Sequence, residues 1–305
     1  MSDLILHHFD SSPFAEKVRL IFGIKQLDWC SVQIPMVMPK PDLTALTGGY
    51  RKTPVLQIGA DIYCDTQLIA REIDRGYPAP TLFPDGSEGL CMALAHWSDV
   101  NFFQAGAALS MGLNTEIPDA VLQDRKAFFN FMDFSTLAEQ IPQFRGYFNA
   151  HLDQLEQMLS HQYAFLLGDT ISWADVLAYF PVWMARGNLP HVAAELLEPL
   201  RQVQVWEQRL QSIGHGQAKA IAAADALAIA RQTEITAQPH IDQNDPLKLS
   251  AQQAIRVIST DYGGVAVTGR LHSLTRREVV LCREDDRAGQ VLVHFPRLGF
   301  NIEAV

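Results

Sequence analysis

Ser11-Ser12-Pro13-Phe14-Ala15-Glu16-Lys17-Val18-Arg19, then Arg51-Lys52-Thr53-Pro54-Val55-Leu56, then Tyr63-Cys64-Asp65-Thr66: these three stretches, in this order, decide the fold. Leu4-Ile5-Leu6 precedes the first and reads as a short buried strand. Ser12 occupies an N-cap position and Pro13 the first helical one. Val18, Ile21 and Phe22 follow at helical spacing, and Gly23 lies near the helix end. Residues 29–34 alternate enough for a second strand, and 35–47 form a proline-broken loop with room for a short helix. Val55-Leu56-Gln57-Ile58 and Ile62-Tyr63 flank Gly59-Ala60-Asp61 as a hairpin. Asp65-Thr66 caps a helix through Leu68, Ile69 and Ile73, with Gly76 as a suitable C′ residue. The predicted order is β-α-β-α-β-β-α.

Tyr77-Pro78-Ala79-Pro80-Thr81-Leu82-Phe83-Pro84 cannot continue a helix and reads as a linker. Helical patterning follows for roughly 150 residues. Leu90, Leu94, Trp97 and Asn101 recur at heptad-like spacing. Phe128, Phe129, Phe131 and Phe134 form an aromatic cluster suited to core packing, and residues 218–230 read as an alanine-rich helix. Ser172-Trp173-Ala174-Asp175 is a capping box with Asp in place of Glu, flanked by Ile171 and Val176 as a hydrophobic staple. A second linker covers 239–246. Beyond it the period changes to two: four strands are predicted around Ile255-Arg256-Val257-Ile258, Val265-Ala266-Val267-Thr268, Glu278-Val279-Val280-Leu281-Cys282 and Gln290-Val291-Leu292-Val293-His294-Phe295. Asp285-Asp286-Arg287-Ala288-Gly289 turns the last hairpin.

The 305 residues suffice for about two domains. With 48% hydrophobic and 19% charged residues a sizeable core is expected. No apolar run reaches the ~18 residues of a membrane helix. Met1-Ser2-Asp3-Leu4 lacks a basic segment before an apolar one, so no secretory signal is expected. Cys30, Cys64, Cys91 and Cys282 are scattered and form no CxxC pair, so neither a disulfide scaffold nor a structural zinc site is supported, and no metal ligands are assigned. A reducing, cytoplasmic compartment is the simplest expectation. The net charge of -10 argues against nucleic-acid binding. Residues 246–305 carry 8 basic against 6 acidic residues and the rest 16 against 28, as expected of separately folded modules.

The three N-terminal motifs resemble those of the thioredoxin-like half of the cytosolic glutathione transferases, and the resemblance extends over about residues 1–235. It implies an α/β thioredoxin-like glutathione-binding domain (1–78) followed by an all-α helical-bundle domain with the electrophile pocket (85–235). The small all-β module at 246–305 is an addition that ordinary members lack. The Ser172 motif is similar to the capping box of the helix that crosses the core of that helical domain, so Asp175 is assigned a folding role.

The resemblance also implies a thiol chemistry. A free thiol titrates near ~8.5, and its thiolate is the nucleophile. Lowering that value by ~2 units takes ~2.7 kcal/mol of preferential thiolate stabilisation. A hydroxyl donor at a helix N-terminus can supply this. Aligned with the family, Ser12 falls where serine-type classes keep their activating serine and cysteine-type classes a cysteine; Ser11 is the fallback. Pro13-Phe14-Ala15-Glu16, with Phe14 beside the ligand, is closest to the cysteine-type sequence. The missing sulfur disfavours disulfide exchange and favours hydroxyl-assisted conjugation. His7 and His8 stand near where other classes carry a catalytic tyrosine, so a tyrosine-type mechanism is not expected. Thr53, ahead of Pro54, is implied to offer its backbone to the cysteinyl part of glutathione. Asp65 and Thr66 are implied to hold the γ-glutamyl end at a helix N-terminus. Lys40, Arg51 and Lys52 remain candidates for the glycyl carboxylate, with Lys52 best positioned. The electrophile pocket is expected between the Ser12 loop and the first long helix of the second domain, near Asp99, Phe102, Phe103 and Met111.

The implied protein is a cytoplasmic, homodimeric, serine-type glutathione transferase acting on a hydrophobic electrophile. No cofactor beyond the co-substrate glutathione is expected, and no nucleic-acid or membrane partner. The alternatives are glutathione-dependent isomerisation or reductive dehalogenation, and a non-catalytic binding or scaffold protein.

Overall fold

The computed structural model describes residues 3–305; Met1 and Ser2, the start of the N-terminal tetrapeptide read above, lie outside them. The chain begins β1 (Leu4–His8), α1 (Pro13–Ile24), β2 (Asp28–Gln33), α2 (Pro41–Thr47), β3 (Val55–Ile58), β4 (Asp61–Cys64) and α3 (Thr66–Gly76). This is the β-α-β-α-β-β-α order of a thioredoxin-like domain. The helical part follows as α4 (Glu88–His96), a π-helical segment (Trp97–Phe102), α5 (Phe103–Leu113), α6 (Asp119–Phe128), α7 (Leu137–Met158), α8 (Trp173–Asn188), α9 (Pro190–Leu197) and α10 (Arg201–Gln211). The chain closes with β5 (Gln217–Ala220), α11 (Ala223–Gln232), β6 (His240–Ile241), β7 (Ala254–Ser259), β8 (Val267–Leu274), β9 (Glu278–Asp285), β10 (Gly289–Pro296) and β11 (Phe300–Ala304). Among the described residues no helix is long and apolar enough to cross a membrane.

Two compact units result, and they are not consecutive segments. One holds the chain up to Ala15, Asp28–Arg71 and Ala218–Val305; the other holds Glu16–Leu27 and Glu72–Gln217. The extra C-terminal strands expected from the sequence are present, and they cluster in one unit with the N-terminal strands. They continue the N-terminal sheet in the order β11-β7-β8-β9-β10-β4-β3-β1-β2-β5, with β6 paired to β8. The junction is the parallel pair β10 and β4, with Leu292 opposite Asp61, Val293 opposite Ile62 and His294 opposite Tyr63. A bare β4 edge would expose a row of unpaired backbone groups, and β10 satisfies them. Side chains seal the seam. The His294 ring stacks on Tyr63 at 4.4 Å, and its Nε2 lies 2.9 Å from Asp61 Oδ1. Ile5, Val32, Val55 and Ile62 share one apolar cluster with Ile255, Leu281, Val293 and Phe295. Burial of that shared face is what fuses the two sheets.

Residues 218–230 do not form one helix. Gln217–Ala220 is a strand on the edge beside β2, and the Ile221 amide donates to the Ser31 carbonyl at 3.0 Å. Only at Ala223 does α11 begin. It buries Ala226, Leu227 and Ala230, while the Ala226 carbonyl accepts from Gln57 Nε2 at 2.8 Å. Pairing with the sheet outweighs the helical preference of the alanines. The C-terminal region has five strands where four were predicted. The alternating Phe300-Asn301-Ile302-Glu303 pairs antiparallel with β7.

The helical unit packs around Phe102, Phe148, Trp173, Phe180 and Trp206, all fully buried. Part of the predicted aromatic cluster joins this packing, with only Phe129 of its four rings buried. Phe129 and Phe131 lie 4.8 Å apart and each meets Phe103 edge-on at 6.2 Å. Asp175, wholly buried, gathers four donors. Oδ1 accepts the Leu166 amide at 2.8 Å and the Trp206 indole at 2.9 Å. Oδ2 accepts the Ser172 amide at 2.9 Å and the Ser172 hydroxyl at 2.8 Å. The predicted capping box is thus part of a larger hub: Asp175 reaches back to Ser172 and also ties α10 to the loop before α8.

Candidate functional site

The registers bring the three N-terminal motifs to one end of the sheet. His7, near the C-terminal end of β1, pairs with Val55, the first residue of β3. Val55 pairs in turn with Cys64, the last residue of β4. The loop after β1, the turn before β3 and the start of α3 therefore share one edge row. Those segments carry Ser12, Thr53-Pro54 and Asp65-Thr66.

Each is fixed locally. The Ser12 amide donates to the Phe9 carbonyl at 3.1 Å. The Ser12 Oγ accepts the Ala15 amide at 3.2 Å, the N-cap to N3 bond that starts a helix. Ser12 is buried, and its O–H retains a hydrogen to donate. Ser11 sits in the preceding turn with its side chain exposed, and Phe14 in the first turn of α1 is half-buried. The Thr53-Pro54 bond is cis. Thr53 Oγ1 accepts from Lys40 Nζ at 3.1 Å. Lys40 is itself buried; its ammonium also reaches the Arg51 carbonyl at 3.4 Å and lies 5.5 Å from the Phe9 ring centre. Lys40 thus braces the loop ahead of Pro54. Asp65 adopts a left-handed φ of 77°, rare for a side chain other than glycine. From there its Oδ1 accepts the Gln67 amide at 2.9 Å, and its carbonyl accepts the Ile69 amide at 3.0 Å. Thr66, the first residue of α3, is buried.

The C-terminal strands add two residues to this edge that the sequence reading did not include. Lys52 Nζ pairs with the Asp261 carboxylate and lies 4.7 Å from the Tyr262 ring centre. Asp261 and Tyr262 stand in the loop between β7 and β8. Tyr50 is buried between the two halves of the unit, and its hydroxyl is pushed well up by burial and then by the carboxylates of Asp65 and Asp261 among its neighbours. The only sequence signal for these residues was the turn-forming Asp261-Tyr262-Gly263-Gly264, which marks a loop and nothing more.

The protein's own four cysteine thiols are all raised above their ordinary value. Burial is the leading cause that raises Cys30, Cys64, Cys91 and Cys282. For Cys64 the neighbouring Asp65 adds to it. Among the described residues no group of three or more His, Cys, Asp or Glu is gathered to hold a metal ion.

In the helical unit, Phe102 packs on Phe148 at 5.0 Å and Phe103 on Phe180 at 6.0 Å. Both rings are buried, so most of their surface serves the core, while Met111 is half-buried. Lys17 is fully buried with Nζ 2.5 Å from Asp99 Oδ1 and 4.4 Å from the Phe180 ring centre. Asp99 lies in the π-helical segment.

Two family models match the chain: the glutathione S-transferase N-terminal domain over residues 6–81 and the C-terminal domain over 138–209. No curated protein matches it. Among solved structures, a GST-like protein from Pseudomonas syringae is 39% identical, with 100% of each chain covered and a TM-score of 0.82. A glutathione S-transferase from Rhodospirillum rubrum is 21% identical at a TM-score of 0.53, covering 68% of this chain and 88% of that one. Another from Methylobacillus flagellatus, solved with glutathione bound, is 17% identical at a TM-score of 0.54 and covers 70% of this chain and 99% of its own. The latter two share the fold over about two thirds of this chain, whereas the Pseudomonas protein matches it end to end. On that full-length relationship and the two domain models, the chain belongs to the glutathione S-transferase family.

Proposed function

We propose that the chain is a serine-type glutathione transferase that activates the glutathione thiol for attack on a hydrophobic electrophile, acting as a cytoplasmic homodimer. The observation that carries this reading is the shared edge row, where a capped helix N-terminus with a buried hydroxyl, the Thr53-Pro54 turn and a second capped helix N-terminus lie side by side. The γ-glutamyl carboxylate would meet the amides at the start of α3 and the Thr66 hydroxyl, with Asp65 pairing the ammonium. The cysteinyl residue would lie along the Thr53 backbone. Its sulfur would then reach the N-terminus of α1, where Ser12 donates a hydrogen bond to the thiolate. The thiol releases its proton to solvent. The thiolate then forms a carbon–sulfur bond, and the electrophile either expels a leaving group or takes up a proton. The Methylobacillus neighbour, solved with glutathione bound, supports the choice of ligand.

Calorimetry with glutathione tests the reading. Asp65→Ala should weaken binding about tenfold, as expected for loss of a hydrogen-bonded charge at a ligand terminus. Turnover across a panel of electrophiles then separates conjugation from isomerisation and reductive dehalogenation. Binding without turnover on any electrophile would leave a scaffold protein, and no binding at all would overturn the assignment.

A further inference from the structure

On the reading proposed above, a thiol peptide on this edge would bring its C-terminal carboxylate to the cations ahead of Pro54, and two of these already hold partners in the structure. Lys40 is buried and hydrogen-bonded to Thr53 and the Arg51 carbonyl. Lys52 is paired with Asp261, with 14% of the lysine side chain exposed against 44% of the aspartate. The buried Tyr262 ring covers the same ammonium. The loop carrying both is held in place from each side. Its strand β7 pairs with β11 and β8, while Arg283 on β9 reaches the Ala45 carbonyl at the end of α2 and Arg287 pairs with Asp42. The Asp261 carboxylate also bears on Tyr50, as does that of Asp65.

Resting on the thiol-peptide reading of this edge, we propose that Asp261 is a specificity-determining residue: as the resident counter-ion of Lys52, it disfavours a thiol peptide with a free C-terminal carboxylate and favours one whose glycyl end is uncharged. A free glycyl carboxylate would share Lys52 with a second carboxylate, or displace it. Like charges brought together at a partly desolvated site oppose binding. A glycyl amide presents no such charge and can still donate a hydrogen bond to Asp261. A residue from the C-terminal strands thereby tunes which thiol the N-terminal motifs accept.

The test is calorimetry of the full chain with glutathione and with its glycyl amide, on the native protein, Asp261→Asn, Lys52→Met and the double variant. Native protein should bind the amide at least as tightly as glutathione. Asp261→Asn should tighten glutathione about fivefold, the upper range for an ion pair with one exposed partner, and leave the amide within about twofold. Adding Lys52→Met should abolish that gain; if the gain persists, another cation such as Arg51 receives the carboxylate and the assignment to Lys52 falls. A glutathione-to-amide ratio unchanged by Asp261→Asn overturns the proposal and leaves the thiol-peptide site standing. If neither ligand binds any of the proteins, the site assignment and the proposal fall together.

Discussion

Ser12 is assigned two duties, and substitution can separate them. Its Oγ accepts the Ala15 amide at 3.2 Å, and its hydrogen is assigned to the bound thiolate. Ser12→Ala removes both. Loss of the N-cap should cost about 1 kcal/mol of stability. Loss of one hydroxyl-to-thiolate bond, at about 1.5–3 kcal/mol for a bond to a charged group, should raise the bound thiol's pKa by about 1–2 units. At neutral pH that lowers the thiolate fraction, and with it the rate, by roughly tenfold or more. Ser12→Asp isolates the second duty. A carboxylate caps a helix as well as serine does, so the share of stability owed to the cap should be kept, less the cost of placing a charge at a buried position. Its charge beside the thiolate should nevertheless raise the pKa further than alanine does. The assay is a pH titration of the bound thiolate's ultraviolet absorbance, run alongside urea unfolding. The reasoning is refuted if Ser12→Ala loses the expected stability and the bound pKa stays where it was. Ser12 would then be only a cap, and the same titration on Ser11→Ala would decide whether the exposed neighbour is the donor.

Asp175→Ala strands four buried donors. At about 1–3 kcal/mol for each group left unsatisfied, less what entering water restores, urea unfolding should show a loss of about 3–5 kcal/mol; a loss under about 1 kcal/mol would contradict the hub. His294 should make stability depend on pH. Burial lowers its pKa, but the hydrogen bonds to Asp61 and Glu278 outweigh this and leave it raised above 6.5. Its pairing with those carboxylates is therefore fully present below about pH 6.5 and fades as the pH rises through the higher folded-state value. The gap in thermal midpoint between native protein and His294→Gln should be wide near about pH 6 and narrow by about pH 9. The neighbouring His272, lowered by burial and then by His294, opposes this only as the pH falls further. A gap independent of pH would mean that His294 acts by packing on Tyr63 alone.

The parts of the fold legible in the sequence are those whose causes are local. Ser12-Pro13 and Asp65-Thr66 start helices where expected, because the groups that cap a helix lie within three residues of each other. The Gly59-Ala60-Asp61 turn sets the β3–β4 register in the same way. What could not be read depends on partners far along the chain. Gln217-Ala218-Lys219-Ala220 has no β-branched residue, its apolar positions are only alanines, and it is a strand only because β2 offers an edge. Asp61 and His294 are 233 positions apart, and no periodicity in either strand announces that they pair. Lys52 shows the same limit at the candidate site. Its position ahead of Pro54 was visible, but its counter-ion lies 209 residues away. The β11 pattern was available and short, and only the β7 edge gives it a place.

The seam between β4 and β10 also sets an order of events on the ribosome. The first four strands emerge early, yet the edge of β4 stays bare while the whole helical unit is being made. It is covered only when β10 appears, after the helical unit has been made. During that interval the nascent protein presents an unpaired strand edge of the kind that invites association with other chains. A message cut short after α10 would therefore yield a product with its apolar sheet face and its edge both open. Sheet closure in the N-terminal half thus depends on strands made after the helical unit, so a reporter of that closure would also report synthesis through β10.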